Sequence, residues 1–275
     1  MGKLNENTPH IVTVMQVRCS STRLPNKVLL PLFNKALFLR QAERIMASTL
    51  KGILVVSTTT YKEDDEIENI CIKEGIPCYR GSSADLLDRH FQAAKLFQAD
   101  FVVKIPSDCP LIDPAIIDKV IGYFLQHQGL FDYVSNLHPA TYPDGNDVEV
   151  MTMEALSDAW KYANRDLERE HTTPYLWENP DKFSIGNVSM GGDKDYSMSH
   201  RWTIDYPEDY EFIKSIYDAL YPINPLFGMN DILELLQKQP ELLKINGHLA
   251  GVNWYRNHLT ELKTVTDKQT KVLAK

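Results

Sequence analysis

Three cations and three small polar residues follow the first apolar run of this chain. The cations are Arg18, Arg23 and Lys27, the small polar residues are Ser20, Ser21 and Thr22, and no carboxylate falls among them. Backbone N–H groups and hydroxyls can surround phosphate oxygens while Arg and Lys neutralise their charge. Pro25 stiffens the segment, which lowers the entropy lost when a ligand orders it. The pattern therefore predicts a polyphosphate-binding loop.

The loop matches neither of two common phosphate-binding motifs. It lacks both the P-loop pattern and the G-x-G-x-x-G pattern of dinucleotide sites. On residue types alone, a solvated cluster of surface cations is an equally good interpretation, because charged surface loops are common. The rest of the sequence has to decide between the two.

Two acids stand where predicted strands end. Asp108 follows the apolar run at 101–105, and Asp205 follows a strand that we predict at 199–204. Ligands bind at the carboxyl ends of strands in open α/β sheets, and Mg²⁺ prefers carboxylates and substrate phosphates. Asp108 could instead cap the helix that follows, but Asp113 directly precedes that helix and is the better cap. The two acids therefore predict a Mg²⁺ site.

Apolar runs that alternate with amphipathic stretches predict the fold class. Strands are expected at 10–17, 53–57, 78–80 and 101–105, helices at 64–73, 85–97 and 114–126, and further strands at 147–151 and 183–188. Alternating β and α at this spacing indicates βαβ units and a parallel sheet. We expect an α/β protein with a single doubly wound, mostly parallel sheet and an antiparallel excursion at about residues 130–200.

Composition and charge limit the classes of partner. The chain has 275 residues with 43% hydrophobic content, which fits one domain, placed at 10–258 between a flexible leader (1–9) and a frayed or disordered tail (259–275). The net charge of −8 argues against nucleic acid or an anionic membrane as the main partner. No C-x-x-C pair, apolar leader or long apolar run occurs, so we expect a cytoplasmic protein with reduced thiols.

Three motifs together resemble those of the sugar cytidylyltransferases. The loop at 18–27 resembles the family's A-R-x-x-S-T-R-L-P-x-K pattern, residues 107–112 its G-D-x-P-L-I segment, and residues 203–209 its V-D-T-P-E-D segment. The motifs occur in the same order as in the family, which includes the enzymes that make CMP-3-deoxy-manno-octulosonate and CMP-neuraminate. Within that superfamily the sequence most resembles the spore coat polysaccharide biosynthesis protein F group.

The resemblance implies Mg²⁺-dependent transfer of CMP from CTP to a sugar acid or other small acceptor, with release of pyrophosphate. It assigns the triphosphate to Arg18, Arg23 and Lys27, with Ser20, Ser21 and Thr22 as further donors, and the Mg²⁺ to Asp108 and Asp205. Asn26 stands where the family usually has Gly, and Asn tolerates a left-handed backbone. A homodimer is also implied, because the superfamily is often dimeric.

Other segments resemble the parts of the family that meet base, ribose and acceptor. Asp88 and Arg89 match a D-R pair near cytosine and ribose, although acids there could simply favour a helix N-terminus. Asp147 and Glu149 would share one strand face and could bind acceptor hydroxyls, or belong to a solvated edge strand. His171 matches the spore coat group, but a lone His is also often structural.

Three alternative functions remain open at this point. The first is a nucleotidyltransferase for another base, although the Gly-rich loop usual in those enzymes is missing here. The second is a cytidylyltransferase that acts on a phosphate or phosphonate acceptor. The third is a sugar-nucleotide binding module without catalysis, against which the full set of loop cations and acids argues.

Overall fold

The computed structural model of the protein describes residues 9–273. Its strands are β1 (Ile11–Gln16), β2 (Pro31–Leu32), β3 (Lys35–Ala36), β4 (Ile53–Thr59), β5 (Cys78–Gly81), β6 (Phe101–Pro106), β7 (Tyr133–Ser135), β8 (Glu149–Thr152) and β9 (Ile185–Asn187). Its helices are α1 (Leu37–Ala47), α2 (Asp65–Glu74), α3 (Leu86–Leu96), α4 (Pro114–Gln126), α5 (Met153–Tyr162), α6 (Asp166–His171), α7 (Pro174–Trp177), α8 (Pro207–Leu220), α9 (Met229–Lys238) and α10 (Leu243–Asn246).

Seven strands form the central sheet, in the order β5-β4-β1-β6-β8-β7-β9. Strands β5, β4, β1 and β6 are parallel, β8 runs antiparallel to both of its neighbours, and β7 is parallel to β9. Strands β2 and β3 form a separate antiparallel pair. The predicted α/β fold, with a mostly parallel sheet and an antiparallel excursion, is confirmed.

The local sequence explains why the first half folds as predicted. Val12, Val14 and Met15 of β1 are fully buried, as expected for a parallel strand that is covered on both faces. Helix α4 begins at Pro114, and the Asp113 side chain accepts the N–H of Ala115 at 2.8 Å. This predicted cap is confirmed, which leaves Asp108 free for another role.

The strand predicted at 199–204 is wrong. Within it only Arg201 forms a bridge, to Asp144, and the backbone hydrogen bonds go to two different loops. The N–H of Ile204 donates to the carbonyl of Asp108 at 2.9 Å. Because no single neighbouring strand accepts this backbone, the segment ties two loops together instead of extending the sheet.

The prediction of a frayed or disordered tail at 259–275 is also wrong for the residues that are described, which end at 273. Leu262 and Val265 are buried in the apolar cluster beside α5 and α7. The N–H groups of Lys263 and Thr264 donate to the Glu178 carboxylate at 2.7 and 2.8 Å. Apolar burial and a buried acceptor therefore hold this stretch against the domain.

The predicted leader falls almost wholly outside the described part of the chain, which begins at residue 9. Among the described residues, no helix has the length and apolar character needed to cross a membrane.

Candidate active site

A cavity of about 610 Å³ opens at the carboxyl ends of β1 and β6. Most of the candidate residues line it, namely Arg18, Ser20, Ser21, Thr22, Arg23, Lys27, Asp108, Asp147, Glu149, His171 and Asp205. Residues from five distant parts of the sequence therefore meet in one space. Asp88 and Arg89 are not among the lining residues.

A buried carboxylate that the sequence analysis missed anchors the loop after β1. Asp64 is fully buried, accepts the N–H of Cys19 at 2.8 Å, and also accepts the Thr59 hydroxyl. The carbonyl of Cys19 in turn accepts the N–H groups of Ser21 and Asn26 at 2.8 and 3.1 Å. The start of the loop is therefore fixed, because the backbone of Cys19 is hydrogen-bonded to a buried carboxylate. No local sequence signal distinguishes Asp64 from an ordinary acid at a helix start.

Asn26 has the left-handed backbone that the sequence analysis allowed for it. Its φ and ψ are 55° and 23°, and it directly precedes a helical turn at Lys27–Leu29. Asn occupies this region at lower cost than most residues with a side chain. The replacement of the family's usual Gly is therefore compatible with the loop conformation.

The loop cations meet the two predicted metal-binding acids. Lys27 Nζ lies 3.0 Å from Asp205 Oδ1 and 3.7 Å from Asp108 Oδ2. Arg23 Nη2 lies 2.7 Å from Asp205 Oδ1. Burial alone would raise the pKa of Asp205, but Lys27 and Arg23 hold it below its usual value. Asp108 and Asp205, far apart in sequence, thus converge on one ammonium group.

Two further carboxylates crowd the same region. Burial and the nearby Asp108 carboxylate raise the pKa of Asp147 to about 7. Burial and Asp147 likewise raise the pKa of Asp144, which the sequence analysis missed, well above its usual value. Like charges in a partly desolvated site disfavour one another's ionised forms. A bound cation would relieve this repulsion.

Arg201 connects the acids from beneath the cavity and was also missed. Its side chain is fully buried, and it donates to both oxygens of Asp209 at 2.8 and 3.0 Å. It also lies 3.4 Å from the carboxylates of Asp144 and Asp205. Its Nη1 donates to the carbonyl of Val252 at 2.6 Å. The guanidinium therefore positions carboxylates that come from two loops.

Gly145 allows the two acid-bearing segments to approach each other. Its φ is +111°, and a Cβ at this position would lie 2.7 Å from the carbonyl carbon of Trp202. The N–H of Trp202 donates to the carbonyl of Asp144 at 2.7 Å. Any side chain at position 145 would push these segments apart.

Glu149 and Asp147 both line the cavity, but they do not share a strand face as predicted. Strand β8 begins at Glu149, so Asp147 lies in the loop before it. Glu149 is buried, forms an ion pair with Lys104 of β6, and accepts the Tyr133 hydroxyl at 2.6 Å. Burial would raise the pKa of Glu149, but Lys104 holds it low. Because its partners are already in place, Glu149 is more constrained than Asp147.

His171 lies at the end of α6 and stacks on Trp254, with ring centroids 3.7 Å apart and an interplanar angle of 14°. Burial, followed by repulsion from Lys104, lowers the pKa of His171 to about 3. The imidazole is therefore neutral at physiological pH and can act as a hydrogen-bonding and stacking group rather than as a cation.

Asp88 and Arg89 lie on α3 in different surroundings. The Asp88 carboxylate accepts the Trp160 indole N–H at 2.8 Å, so it is already engaged. Arg89 is fully buried and donates through Nη1 to the Ser82 carbonyl at 2.9 Å, but its Nε and Nη2 have no hydrogen-bond partner within the described residues. Burial and the nearby Arg18 lower the pKa of Arg89 to about 10.

The donor set fits a hard divalent cation that substrate oxygens complete. No group of three or more His, Cys, Asp or Glu residues within 9–273 is arranged to hold a metal on its own. Mg²⁺ is commonly held by only one or two carboxylates together with phosphates and water. Asp108 and Asp205 supply two such carboxylates, and the crowding at Asp144 and Asp147 favours added positive charge.

Comparison with known proteins supplies the family. A family model described as cytidylyltransferase matches residues 12–244. An uncharacterized protein of Methanocaldococcus jannaschii is 34% identical over 241 residues, which cover 87% of this chain and 95% of that protein. The spore coat polysaccharide biosynthesis protein SpsF of Bacillus subtilis is 29% identical over 236 residues, which cover 84% and 95% of the two chains.

A solved structure agrees with this match. The structure of a cytidylyltransferase from Leptospira borgpetersenii serovar Hardjo-bovis aligns with a TM-score of 0.80 and 34% identity, over 86% of this chain and 97% of that one. The family match includes the loop after β1 and both converging acids, Asp108 and Asp205. The resemblance noted in the sequence is therefore confirmed, and the chain belongs to the cytidylyltransferase family.

Proposed function

We propose that the protein is a Mg²⁺-dependent enzyme that transfers CMP from CTP to a sugar acid or similar small acceptor in surface polysaccharide biosynthesis, with release of pyrophosphate. One observation carries this proposal. Lys27 of the cationic loop lies between Asp108 and Asp205 in a cavity large enough for a nucleotide and a second small molecule. A cation-rich loop that faces paired acids suits a metal-bound polyphosphate.

The loop would bind the triphosphate. Arg18 lines the cavity and makes no ion pair with the described residues, so its guanidinium is available to phosphate. Arg23 and Lys27 are paired with Asp205, and phosphate oxygens would compete with that carboxylate for them. The hydroxyls of Ser20, Ser21 and Thr22 line the same wall. These groups neutralise charge as it builds on the leaving pyrophosphate.

Asp108 and Asp205 would hold the Mg²⁺. When bound, the metal supplies positive charge to the α-phosphate and so lowers the cost of attack by an oxygen nucleophile. Asp205 is suited to this role because neighbouring cations keep its pKa low and its carboxylate ionised. Arg201 fixes the direction of this carboxylate from below.

The acceptor would occupy the part of the cavity lined by Asp147, Glu149 and His171. An acceptor oxygen forms a bond to the α-phosphorus while the bond from that phosphorus to the pyrophosphate oxygen breaks. Asp147 lines this part of the cavity, and its carboxylate can accept the proton of an acceptor hydroxyl. The protein otherwise contributes by positioning and by neutralising charge, so no side-chain nucleophile is needed.

Arg89 is the residue that we propose for the base and ribose, and its fully buried side chain does not line the cavity. Its two unpartnered guanidinium nitrogens are costly to bury, so we expect its side chain to move towards the nucleotide when the nucleotide binds. Asp88 would support this region indirectly, because its carboxylate already holds Trp160.

Thermal stabilisation by nucleotides tests the assignment. The midpoint of unfolding should rise with CTP in the presence of Mg²⁺ and much less with UTP, GTP or ATP. A pocket that accepts the exocyclic amine of cytosine leaves a buried acceptor unpaired when UTP binds, and such a mismatch is costly. Omission of Mg²⁺ is the matched control.

Pyrophosphate release then tests catalysis with CTP and a panel of sugar acids, neutral sugars and phosphorylated small molecules. Equal stabilisation by CTP and UTP, or a larger effect of a purine nucleotide, would refute the cytidylyl assignment. Stabilisation by CTP without turnover of any acceptor would favour a binding protein over an enzyme.

A further inference from the structure

The C-terminal segment, defined here as residues 247–273, lies beyond the region that the family model matches and still forms part of the cavity. Its backbone is held to the rest of the domain at two places. Arg201 Nη1 donates to the carbonyl of Val252 at 2.6 Å, and the N–H groups of Lys263 and Thr264 donate to the Glu178 carboxylate at 2.7 and 2.8 Å. This segment is therefore a fixed wall of the site.

Two aromatic residues of the C-terminal segment line the cavity. Trp254 stacks on His171, and Tyr255 packs against Trp254 with ring centroids 4.6 Å apart. Tyr255 also lies 6.3 Å from the ring of His138. The wall thus joins the C-terminal segment to α6 through aromatic contacts, and it contains no residue of the loop at 18–27.

The chemistry of this half of the cavity differs from that of the nucleotide half. Its interior cation, Lys104, is paired with Glu149, and both side chains are largely buried. His171 is neutral, and burial raises the pKa of Tyr255 well above its usual value, so that the phenol keeps its proton. Aromatic faces with neutral donors and acceptors suit a ring whose faces carry C–H groups and whose edge carries hydroxyls.

We propose that the C-terminal segment determines acceptor specificity, and that Trp254, stacked on His171, recognises the hydroxylated ring of the acceptor. The inference rests on the proposed function, because it assigns the second half of the same cavity. It adds a recognising surface from a part of the chain outside the family match.

Steady-state kinetics of the full-length protein test this assignment. The probes are CTP with Mg²⁺ and a panel of sugar acids, neutral sugars and sugar phosphates, together with glycerol phosphate and an aminoalkyl phosphate, which have no ring. We expect turnover only with ring-bearing acceptors. Trp254→Leu should raise the acceptor KM at least about tenfold, the loss expected for one aromatic anchor, and leave the CTP KM within about twofold.

Two matched variants separate recognition from folding. Trp254→Phe keeps an aromatic face and should restore much of the acceptor affinity. Tyr162→Leu removes an exposed aromatic residue outside the cavity and should leave both KM values unchanged. Thermal unfolding of each variant with CTP shows whether the nucleotide half is intact.

Each other outcome decides against the inference. Three results would overturn it: an equal rise in both KM values for Trp254→Leu, preferential turnover of the ringless phosphates, or failure of every ring compound to be turned over. If CTP still stabilised the protein in any of these cases, the assignment of the nucleotide half would stand. Absence of CTP-dependent stabilisation in the wild-type protein would overturn the proposed function as well, so the two failures are distinguishable.

Discussion

Arg23 and Arg201 both approach the carboxylate of Asp205, but from opposite environments. The Arg23 side chain is 41% exposed and makes one ion pair, at 2.7 Å. The Arg201 side chain is 0% exposed and is held by both oxygens of Asp209, whose side chain is also 0% exposed. One arginine therefore pairs with Asp205 at the solvent side of the site, and the other approaches Asp205 from the buried side, where Asp209 holds it.

The difference shows which contacts a ligand can replace. Arg23 is the exposed member of its ion pair, whereas Asp205 is mostly buried. Asp205 keeps Lys27 and Arg201 beside it when Arg23 leaves. Arg23 can therefore exchange its carboxylate for a phosphate at low cost. A buried pair cannot lose one partner without leaving an uncompensated charge away from water. We therefore expect the solvent side of the site to rearrange around the substrate, while the buried side keeps its geometry.

The largest expected effect is on the buried side. Arg201→Met should lower the free energy of unfolding by about 3–5 kcal/mol, because Asp209 would remain buried without its partner. Urea denaturation at pH 7 measures this change. Arg23→Met is the matched control and should change stability by less than about 1 kcal/mol. Equal losses in the two variants would abolish the distinction between the two arginines.

The second largest effect is expected on catalysis, from the two proposed metal-binding acids, Asp108 and Asp205. Asp205→Asn or Asp108→Asn should reduce the rate of pyrophosphate release at least about a hundredfold, since each removes a proposed metal ligand worth several kcal/mol in the transition state. The folded state should persist, because Asn keeps the shape of the side chain. Glu211→Gln, at an exposed acid on α8, is the control. Near wild-type turnover at saturating Mg²⁺ would rule out the metal role for that residue.

A smaller effect on catalysis is expected from Arg23 and Lys27, the loop cations on the solvent side of the site. Arg23→Ala and Lys27→Ala should each lower kcat/KM for CTP roughly tenfold to a hundredfold, because one charge-assisted contact contributes about 1.5–3 kcal/mol. Lys35→Ala removes a cation that pairs with Glu43 outside the cavity and should have no effect on kinetics. If kcat/KM were unchanged in both loop variants, the loop would be a solvated cluster of surface charge.

A buried histidine elsewhere in the fold, His90 on α3, gives the smallest expected effect when the change is counted over one pH unit. Burial lowers the pKa of His90 from 6.5 to about 3. The stability that neutral His90 contributes is complete above pH 6.5 and is lost as the pH falls from 6.5 towards 3, because only the unfolded chain takes up the proton there. His90→Gln should therefore flatten the decline of unfolding free energy by about 1.4 kcal/mol per pH unit.

Urea denaturation at several pH values between 7 and 4 measures this slope. An identical slope in the wild-type protein and the His90→Gln variant would show that His90 ionises equally in the folded and unfolded states.

The second half of the fold shows where sequence patterns fail. Helix α4 at Pro114–Gln126 could be predicted because its apolar period and its Asp113 cap lie within a few residues of each other in the sequence. The segment at 199–204 carries a similar apolar pattern, but its backbone bonds to loops rather than to a strand. The tail at 259–273 is ordered by Glu178, an acceptor far away in sequence.

By itself, the sequence determined the alternation of strands and helices, the loop with Arg23 and Lys27, and Asp108 and Asp205 as candidate metal-binding acids. These features are local, because they depend on the period of apolar residues, on helix-capping and turn residues, and on short motifs. Only the tertiary structure decided which side chains complete the site. Asp64 reaches Cys19 across 45 positions and Arg201 reaches Asp144 across 57, and no local pattern encodes such pairs. Burial decides their strength, and burial exists only once the chain has folded.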